Sequence, residues 1–369
     1  MSDSIRDFQR VAVLGLGKIG HLAAELLADS GFDVLGIDSR DIGSRDIGSR
    51  EIDAPLSTIK TDLSDDTAIR QALAGQQAVL SCLPYQLNIG VSTIAHELGL
   101  HYFDLTEDVP TTKHIRKLAE TSKGIMAPQC GLAPGFVGIV AADLASKFDK
   151  VRSIRMRVGA LPQNPTGLLG YAFNWSPEGV VNEYLNDCEV IEEGVLKTVS
   201  AMEWIEQVYI DGVQLEAFTT SGGLGTMCET YLGVIENLDY KTMRYPGHVQ
   251  LMNFFFHELL MRENRQEAGR ILTNAKPPVD EDVVYVHVAA EGTINGQMSR
   301  KEFVRSFYPL TINGRQRTAI AWTTCASVVA VIEMVRQGAL PASGFLKQED
   351  VPLTPYLEMR TGEYFRKGH

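Results

Sequence analysis

The chain has 369 residues, 44% of them hydrophobic and 22% charged, with a formal net charge of −12. That composition is globular, and the length suffices for two domains with a substantial core. The acidic balance argues against nucleic acid or an anionic membrane as partner.

The first predicted element is a short apolar strand, Val11 to Leu14, running into Gly15-Leu-Gly17-Lys18-Ile19-Gly20. A helix is predicted to follow, from His21 to Asp29. Strand, G-x-G-x-x-G turn and helix together form a dinucleotide-binding loop: Gly15 for the tight turn, Gly17 for approach of a pyrophosphate, Gly20 for close helix packing. The phosphates would lie on free N–H groups at the helix start, within reach of Lys18 and Ile19. A second strand, Val34 to Asp38, ends in an acid eighteen residues after Gly20, placed with Ser39 to meet an adenosine ribose. A carboxylate there favours NAD over NADP. Arg40 offers either a contact to a 2′-phosphate or a solvated loop charge.

The block Asp41-Ile-Gly-Ser-Arg45 is then repeated as Asp46-Ile-Gly-Ser-Arg50, a duplication that suits a surface loop. The alternation of strands and helices continues: strand Ala78 to Pro84, helix Ile89 to Leu98, strand His101 to Leu105, helix Thr111 to Ser122, strand Gly124 to Gln129. Repeated β–α units imply a doubly wound parallel sheet, an α/β Rossmann domain over residues 1–130, with ligands outside the carboxyl ends of its strands. Those ends carry Leu83-Pro84-Tyr85, Asp104 with Glu107 and Asp108, and Cys130-Gly-Leu-Ala-Pro134-Gly135. A helix-start turn and a small buried cysteine would give the last of these as well.

Near residue 131 the pattern changes. An apolar helix, Phe136 to Phe148, precedes a half-exposed strand, Val151 to Gly159, in which Val151, Ile154, Met156 and Val158 oppose Arg152, Arg155 and Arg157. With further strands at Val190–Glu192, Gln207–Ile210, Gln214–Thr219 and Val283–Glu291, it predicts a second α+β domain over residues 131–315, built on an open mixed or antiparallel sheet. Polar clusters among its loops are Tyr171 to Gly179, with Asn174 and Glu178; Ser221 to Thr226; and Leu238 to His248. In the last, Arg244 is a candidate clamp for a substrate carboxylate and His248 a candidate for binding or proton exchange. Ala319 to Gln337 reads as a long apolar helix in a C-terminal segment, 316–369, that would return to the first domain.

No apolar run is expected to reach the length of a membrane span, and the N-terminal residues carry no apolar signal core. Five scattered cysteines, Cys82, Cys130, Cys188, Cys228 and Cys325, indicate no disulfide framework and no cysteine metal site. A cytoplasmic setting is expected.

The glycine loop, the Cys130–Gly135 turn, Asn174-Trp-Ser-Pro-Glu178-Gly179 and Arg244-Tyr-Pro-Gly-His248 stand in one order across residues 10 to about 340. In that order they resemble the saccharopine dehydrogenase family. The resemblance implies a Rossmann domain, a substrate and dimerisation domain, and a homodimer. It also implies hydride transfer with NAD, or NADP, at an amine-bearing carbon of an amino acid. By it Tyr85, Asp104 and Cys130 line the nicotinamide side, and Asn174, Glu178, Arg244 and His248 face the substrate. Asp104, Cys130, Glu178 and His248 are then the catalytic candidates. A lysine 6-dehydrogenase-like enzyme is the preferred reading; a saccharopine reductase or carboxynorspermidine dehydrogenase-like enzyme is the alternative. The duplicated block departs from the family pattern near the adenosine end. A non-catalytic dinucleotide sensor or scaffold is the reading of another class.

Overall fold

The structure is a computed structural model that describes residues 8–40 and 57–368. The duplicated block Asp41–Arg50 lies outside the described residues. The described chain divides into two compact units, one running to Phe136 and resumed over Thr323–Lys367, the other Val137–Trp322.

The first unit is a parallel sheet. Its strands are β1 (Arg10–Leu14), β2 (Asp33–Asp38), β3 (Ser57–Lys60), β4 (Ala78–Ser81), β5 (His101–Asp104) and β6 (Ile125–Ala127), with Gly344–Phe345 as the seventh. The order is Gly344–Phe345, β6, β5, β4, β1, β2, β3, and every pair is parallel. The direction of strand addition reverses between β1 and β4, the switch point at which doubly wound sheets bind ligands. Burial on both faces explains the apolar runs: Val11, Ala12, Val13 and Leu14 are all fully buried, as are Val79 and Leu80. The helices start where local chemistry allows. Asp65 accepts from Thr67 N at 2.9 Å before helix Asp66–Ala72. Asp108 accepts from Thr111 N at 2.9 Å before helix Val109–Ala119, which has Pro110 in its first turn.

The second unit holds a mixed sheet. Its strands are β7 (Lys150–Pro162), β8 (Cys188–Glu192), β9 (Val195–Val199), β10 (Glu206–Ile210), β11 (Val213–Thr219), β12 (Asn237–Arg244), β13 (Asp282–Ile294) and β14 (Gln297–Phe307). The main path is β10-β11-β12-β7-β13-β14, with β8 and β9 attached to β12. Only β7 and β12 run parallel; the other pairs are antiparallel. Helix Pro177–Leu185 and helix Arg265–Ala275 contribute Val180, Val181, Tyr184, Ala268 and Leu272 to a core with Leu215, Met243 and Tyr285.

Three expectations are corrected. Leu238 to Arg244 is a central strand, not a loop: burial of Lys241 and Arg244 beside apolar neighbours hides its period of two. Arg157 is buried rather than facing water, because Glu206 and Asp239 pair with it. The helix Ala319–Arg336 has 18 residues and the hydropathy of a membrane span, yet 83% of it is buried inside the protein, so it is a core helix. Its first N–H groups, those of Ala319 and Ile320, are capped by the Asp282 carboxylate at 2.6 and 3.0 Å.

Candidate functional site

In the first unit, the strand β1 leads into a turn with Gly15 at φ +85°, a conformation that suits glycine. A Cβ on Gly20 would lie 1.8 Å from the Gly15 carbonyl oxygen, so helix Lys18–Asp29 packs against the turn only without one. A Cβ on Gly17 would meet nothing within 4 Å. Gly17 is the helix N-cap, no side chain caps it, and no acid stands in the first turn. The helix therefore opens without a side-chain cap, at a Gly17 and Lys18 that are both exposed. These residues fit a pyrophosphate.

Asp38 closes β2 beside this turn. One carboxylate oxygen accepts from Leu16 N at 2.7 Å and from Arg40 Nη2 at 3.1 Å. The other accepts from the Arg40 backbone N and Nε, both at 2.9 Å. Burial pushes this carboxyl up, but the hydrogen bonds from Arg40 and Leu16 outweigh it and hold it below the usual carboxylate range. Arg40 is thus neither a free loop charge nor remote from Asp38. It neutralises the acid on which the preference for NAD rested, while its side chain stays 54% exposed. Ser39 is exposed between them.

At the carboxyl ends of β4, β5 and β6 the candidates divide. Leu83 is half-buried against the Gly15 turn, Pro84 is exposed, and Tyr85 begins helix Tyr85–Leu98. Asp104 is fully buried. Its Oδ1 accepts from Thr106 N and Gln129 N, both at 3.0 Å. Its Oδ2 accepts from Tyr102 Oη at 2.7 Å and Asn88 Nδ2 at 3.5 Å, and Asn88 in turn accepts from Ser81 Oγ at 2.7 Å. Asp104, expected to meet substrate or move a proton, is held by protein donors in this structure. Its acceptor sites are taken by protein donors, and it bolts three strand ends together. Cys130 is engaged likewise: it is fully buried, its Sγ donates to the Ala127 carbonyl at 3.2 Å, and Gln348 donates to it. Burial and the neighbouring Asp104 charge raise its pKa well above the ordinary thiol value, which favours the protonated thiol. Glu107, three residues past Asp104, is half-buried and without a hydrogen bond to a described residue; burial and then Asp108 raise its pKa.

Burial also lifts the Asp104 carboxyl to about 6, against an ordinary 3.8. The folded state then holds this proton more tightly than the unfolded chain. Stability from it is complete below pH 3.8 and is lost as pH rises through about 6. Asp104→Asn is expected to flatten the stability slope between those values, a difference of about 3 kcal/mol at the top of the window. Thermal unfolding of both proteins at pH 4 to 7 measures it; parallel slopes would contradict the assignment.

The second unit gathers a different set. Arg244 ends β12 and is 2% exposed. Its Nε donates to Tyr184 Oη at 2.7 Å, and its Nη1 donates to Thr242 Oγ1 at 2.7 Å and the Met243 carbonyl at 2.9 Å. The guanidinium lies over the Tyr171 ring, 4.6 Å from its centroid, and 5.6 Å from that of Tyr184. No carboxylate pairs with it among the described residues, and Nη2 has no hydrogen-bond partner there. Burial works against its charge, but the Tyr171 and Tyr184 phenols and the Glu183 carboxylate raise its pKa, so the cation persists. With Nη2 open and no carboxylate within ion-pairing distance among the described residues, this buried cation has the chemistry to take a carboxylate.

His248 follows the turn Tyr245–Gly247 and is 1% exposed. Its Nε2 meets Tyr184 Oη at 3.0 Å and its Nδ1 meets the Leu169 carbonyl at 2.9 Å. Burial, then the Arg244 charge, drive its pKa down to about 3. His248, expected to bind substrate or exchange protons, has both ring nitrogens engaged and is held in the neutral form. Glu216 holds the turn, accepting from Gly247 N at 2.9 Å and Val249 N at 2.7 Å. Two further candidates stand apart from this cluster. Asn174 accepts from Val279 N at 2.8 Å, a bond that fixes its loop. Glu178 is exposed on the first turn of helix Pro177–Leu185, beside Ser176. Tyr184 and Thr242 went unrecognised in the sequence, because an isolated tyrosine on a helix and a threonine in a strand look like core and propensity.

Known proteins supply an independent comparison. Residues 11–127 match the family model of the saccharopine dehydrogenase NADP binding domain, and residues 131–362 that of the saccharopine dehydrogenase C-terminal domain. A saccharopine dehydrogenase (NADP(+), L-glutamate-forming) of Schizosaccharomyces pombe is 23% identical over 203 residues, 53% of this chain and 45% of that one. A mitochondrial alpha-aminoadipic semialdehyde synthase of Mus musculus is 24% identical over 283 residues, 73% of this chain and 30% of that one. The matches thus span less than half the length of these two relatives. The solved structure of apo saccharopine dehydrogenase (L-Glu forming) from Saccharomyces cerevisiae has the same fold, with a TM-score of 0.75 at 17% identity over 97% of this chain and 98% of that one.

Proposed function

The chain belongs to the saccharopine dehydrogenase family, and from that premise we propose that it is an NADP-dependent dehydrogenase acting on the C–N bond of an amino acid. The observation that carries this reading is Arg244, a buried guanidinium with no ion-paired carboxylate among the described residues and with Nη2 left open. It is the anchor we assign to the substrate carboxylate. The cofactor supplies hydride acceptance. The chain's own residues bind and orient: helix Lys18–Asp29 holds the pyrophosphate, Asp38 and Arg40 meet the adenosine end, and Arg244 fixes the amino acid.

Among the members of the family, a lysine 6-dehydrogenase-like activity is our first choice. In the second unit the buried cations Arg157 and Lys241 are both paired with Glu206, and Arg157 also with Asp239. A single guanidinium nitrogen left open in this cluster matches an amino acid with one carboxylate better than saccharopine, which carries three. Initial rates of NAD and NADP reduction with lysine, ornithine and saccharopine test this. Lysine should give the highest kcat/KM; turnover of saccharopine alone would overturn that choice, and turnover of none would overturn the enzyme reading in favour of a dinucleotide sensor.

The preference for NADP rests on Arg40. With Asp38 engaged by Leu16 N and Arg40, the acid no longer stands as a bare charge against a 2′-phosphate, and the exposed guanidinium faces the solvent side of the pair. Arg40→Ala is expected to weaken NADP binding about 10- to 100-fold, the worth of one hydrogen bond to a charged group, with a smaller effect on NAD. Equal losses for both cofactors in titration calorimetry would contradict the assignment.

A further inference from the structure

We propose that Tyr184 and His248 form a one-way hydrogen-bond relay that aims the Arg244 guanidinium at the substrate carboxylate, making both positioning residues rather than acid–base catalysts. The proposal rests on the carboxylate role of Arg244 given above.

The direction of the relay is forced from both ends. A guanidinium nitrogen only donates, so Tyr184 Oη accepts from Arg244 Nε at 2.7 Å. A backbone carbonyl only accepts, so His248 carries its proton on Nδ1, which donates to the Leu169 carbonyl at 2.9 Å. His248 Nε2 is then an acceptor, and the Tyr184 O–H donates to it at 3.0 Å. The two inferences meet at Tyr184 without conflict, and every group on the path has one role. The relay fixes Nε, while Thr242 and the Met243 carbonyl fix Nη1. The planar fork is thereby locked in rotation, and Nη2 is the nitrogen left over.

The frame around the relay is rigid. Tyr171 stacks on the guanidinium, and its ring lies edge-on to His248 with centroids 5.3 Å apart. Phe218 is parallel to the His248 ring within 13°. The Glu216 carboxylate clamps Gly247 N and Val249 N on either side of His248. The Tyr171 hydroxyl accepts from Trp175 Nε1 at 3.2 Å, which holds the ring in place. The charged and titratable groups that act on this cluster are Arg244, Tyr171, Tyr184 and Glu183.

Steady-state kinetics on the full chain test the relay. Tyr184→Phe and His248→Leu should each raise KM for the amino acid about tenfold, with kcat within about twofold and NADP affinity unchanged, since each leaves one buried donor or acceptor unmet. The double variant should be no worse than the poorer single, because both break one chain. A fall in kcat at constant KM, or additive losses, would overturn the relay and return His248 to acid–base catalysis. A second readout needs no substrate: nitrogen-15 NMR of histidine-labelled wild-type protein, with His248→Leu for assignment. The relay predicts a neutral His248 with its proton on Nδ1 throughout pH 5 to 8; a proton on Nε2, or titration in that range, would overturn it. If no amino acid is turned over, the function reading fails and the tautomer still decides the relay.

Discussion

Arg244→Ala is expected to reduce kcat/KM for the amino-acid substrate by a factor of about 10² to 10⁴ while NADP affinity and the fold persist. The magnitude is the cost of removing one partner from a buried ion pair, about 3–5 kcal/mol. It applies in full because the guanidinium is 2% exposed, so solvent cannot screen the substrate carboxylate that would remain. Arg244→Lys should fare little better. The native side chain satisfies Tyr184, Thr242 and the Met243 carbonyl through two nitrogens and keeps Nη2 for the ligand. An ammonium is a point charge on a flexible stem and cannot serve those directions together. The lysine variant should therefore raise KM with cofactor affinity unchanged.

The glycine loop yields the second large effect, and it separates two glycines that look alike in the motif. Gly17→Val should leave the melting temperature close to that of the wild type, because a Cβ there meets nothing and the backbone, at φ −71° and ψ −164°, is extended. The same side chain would occupy the space in front of the helix N–H groups. NADP binding should fall about 100-fold, equivalent to roughly 2.7 kcal/mol. Gly20→Ala should do the reverse: its Cβ would sit 1.8 Å from the Gly15 carbonyl oxygen, a backbone atom that cannot rotate away. A loss of stability on the order of 3 kcal/mol is expected, at the upper end of overpacking costs. Calorimetric melting with cofactor titration of both variants separates the two roles; unchanged NADP binding in folded Gly17→Val would refute the loop assignment.

The parallel sheet was legible because its strands are buried on both faces. Val11 to Leu14 and Ala78 to Ser81 are apolar without interruption. The edge strand β3 went unread, since Ser57-Thr-Ile-Lys60 is exposed along its length and carries no burial signal. In the second unit β12 was hidden by its buried Lys241 and Arg244, whose partners come from other elements: Glu206 for the first, Tyr184 for the second. The same limit governs the site. Arg244 and His248 stand out in the sequence beside Pro246 and Gly247, but what they do depends on Tyr184, sixty residues away from Arg244, and on the Leu169 carbonyl. Asp104 stands out as an acid at a strand end; that Thr106, Gln129, Tyr102 and Asn88 all donate to it is a tertiary fact. Spacing identified chemically capable residues and could not tell a ligand-facing group from a satisfied one.

The central claim, that Arg244 holds the substrate carboxylate, is tested most directly by removing the two partners in turn. Initial rates are measured for wild-type protein and Arg244→Ala, each with lysine and with its decarboxylated counterpart, cadaverine. The wild type should favour lysine by a factor of about 10² or more, corresponding to the 3–5 kcal/mol of a buried pair, and Arg244→Ala should lose most of that preference because it can no longer distinguish the two. If Arg244→Ala slows both substrates by the same factor and keeps the preference for lysine, the carboxylate is bound elsewhere and the assignment of Arg244 is wrong.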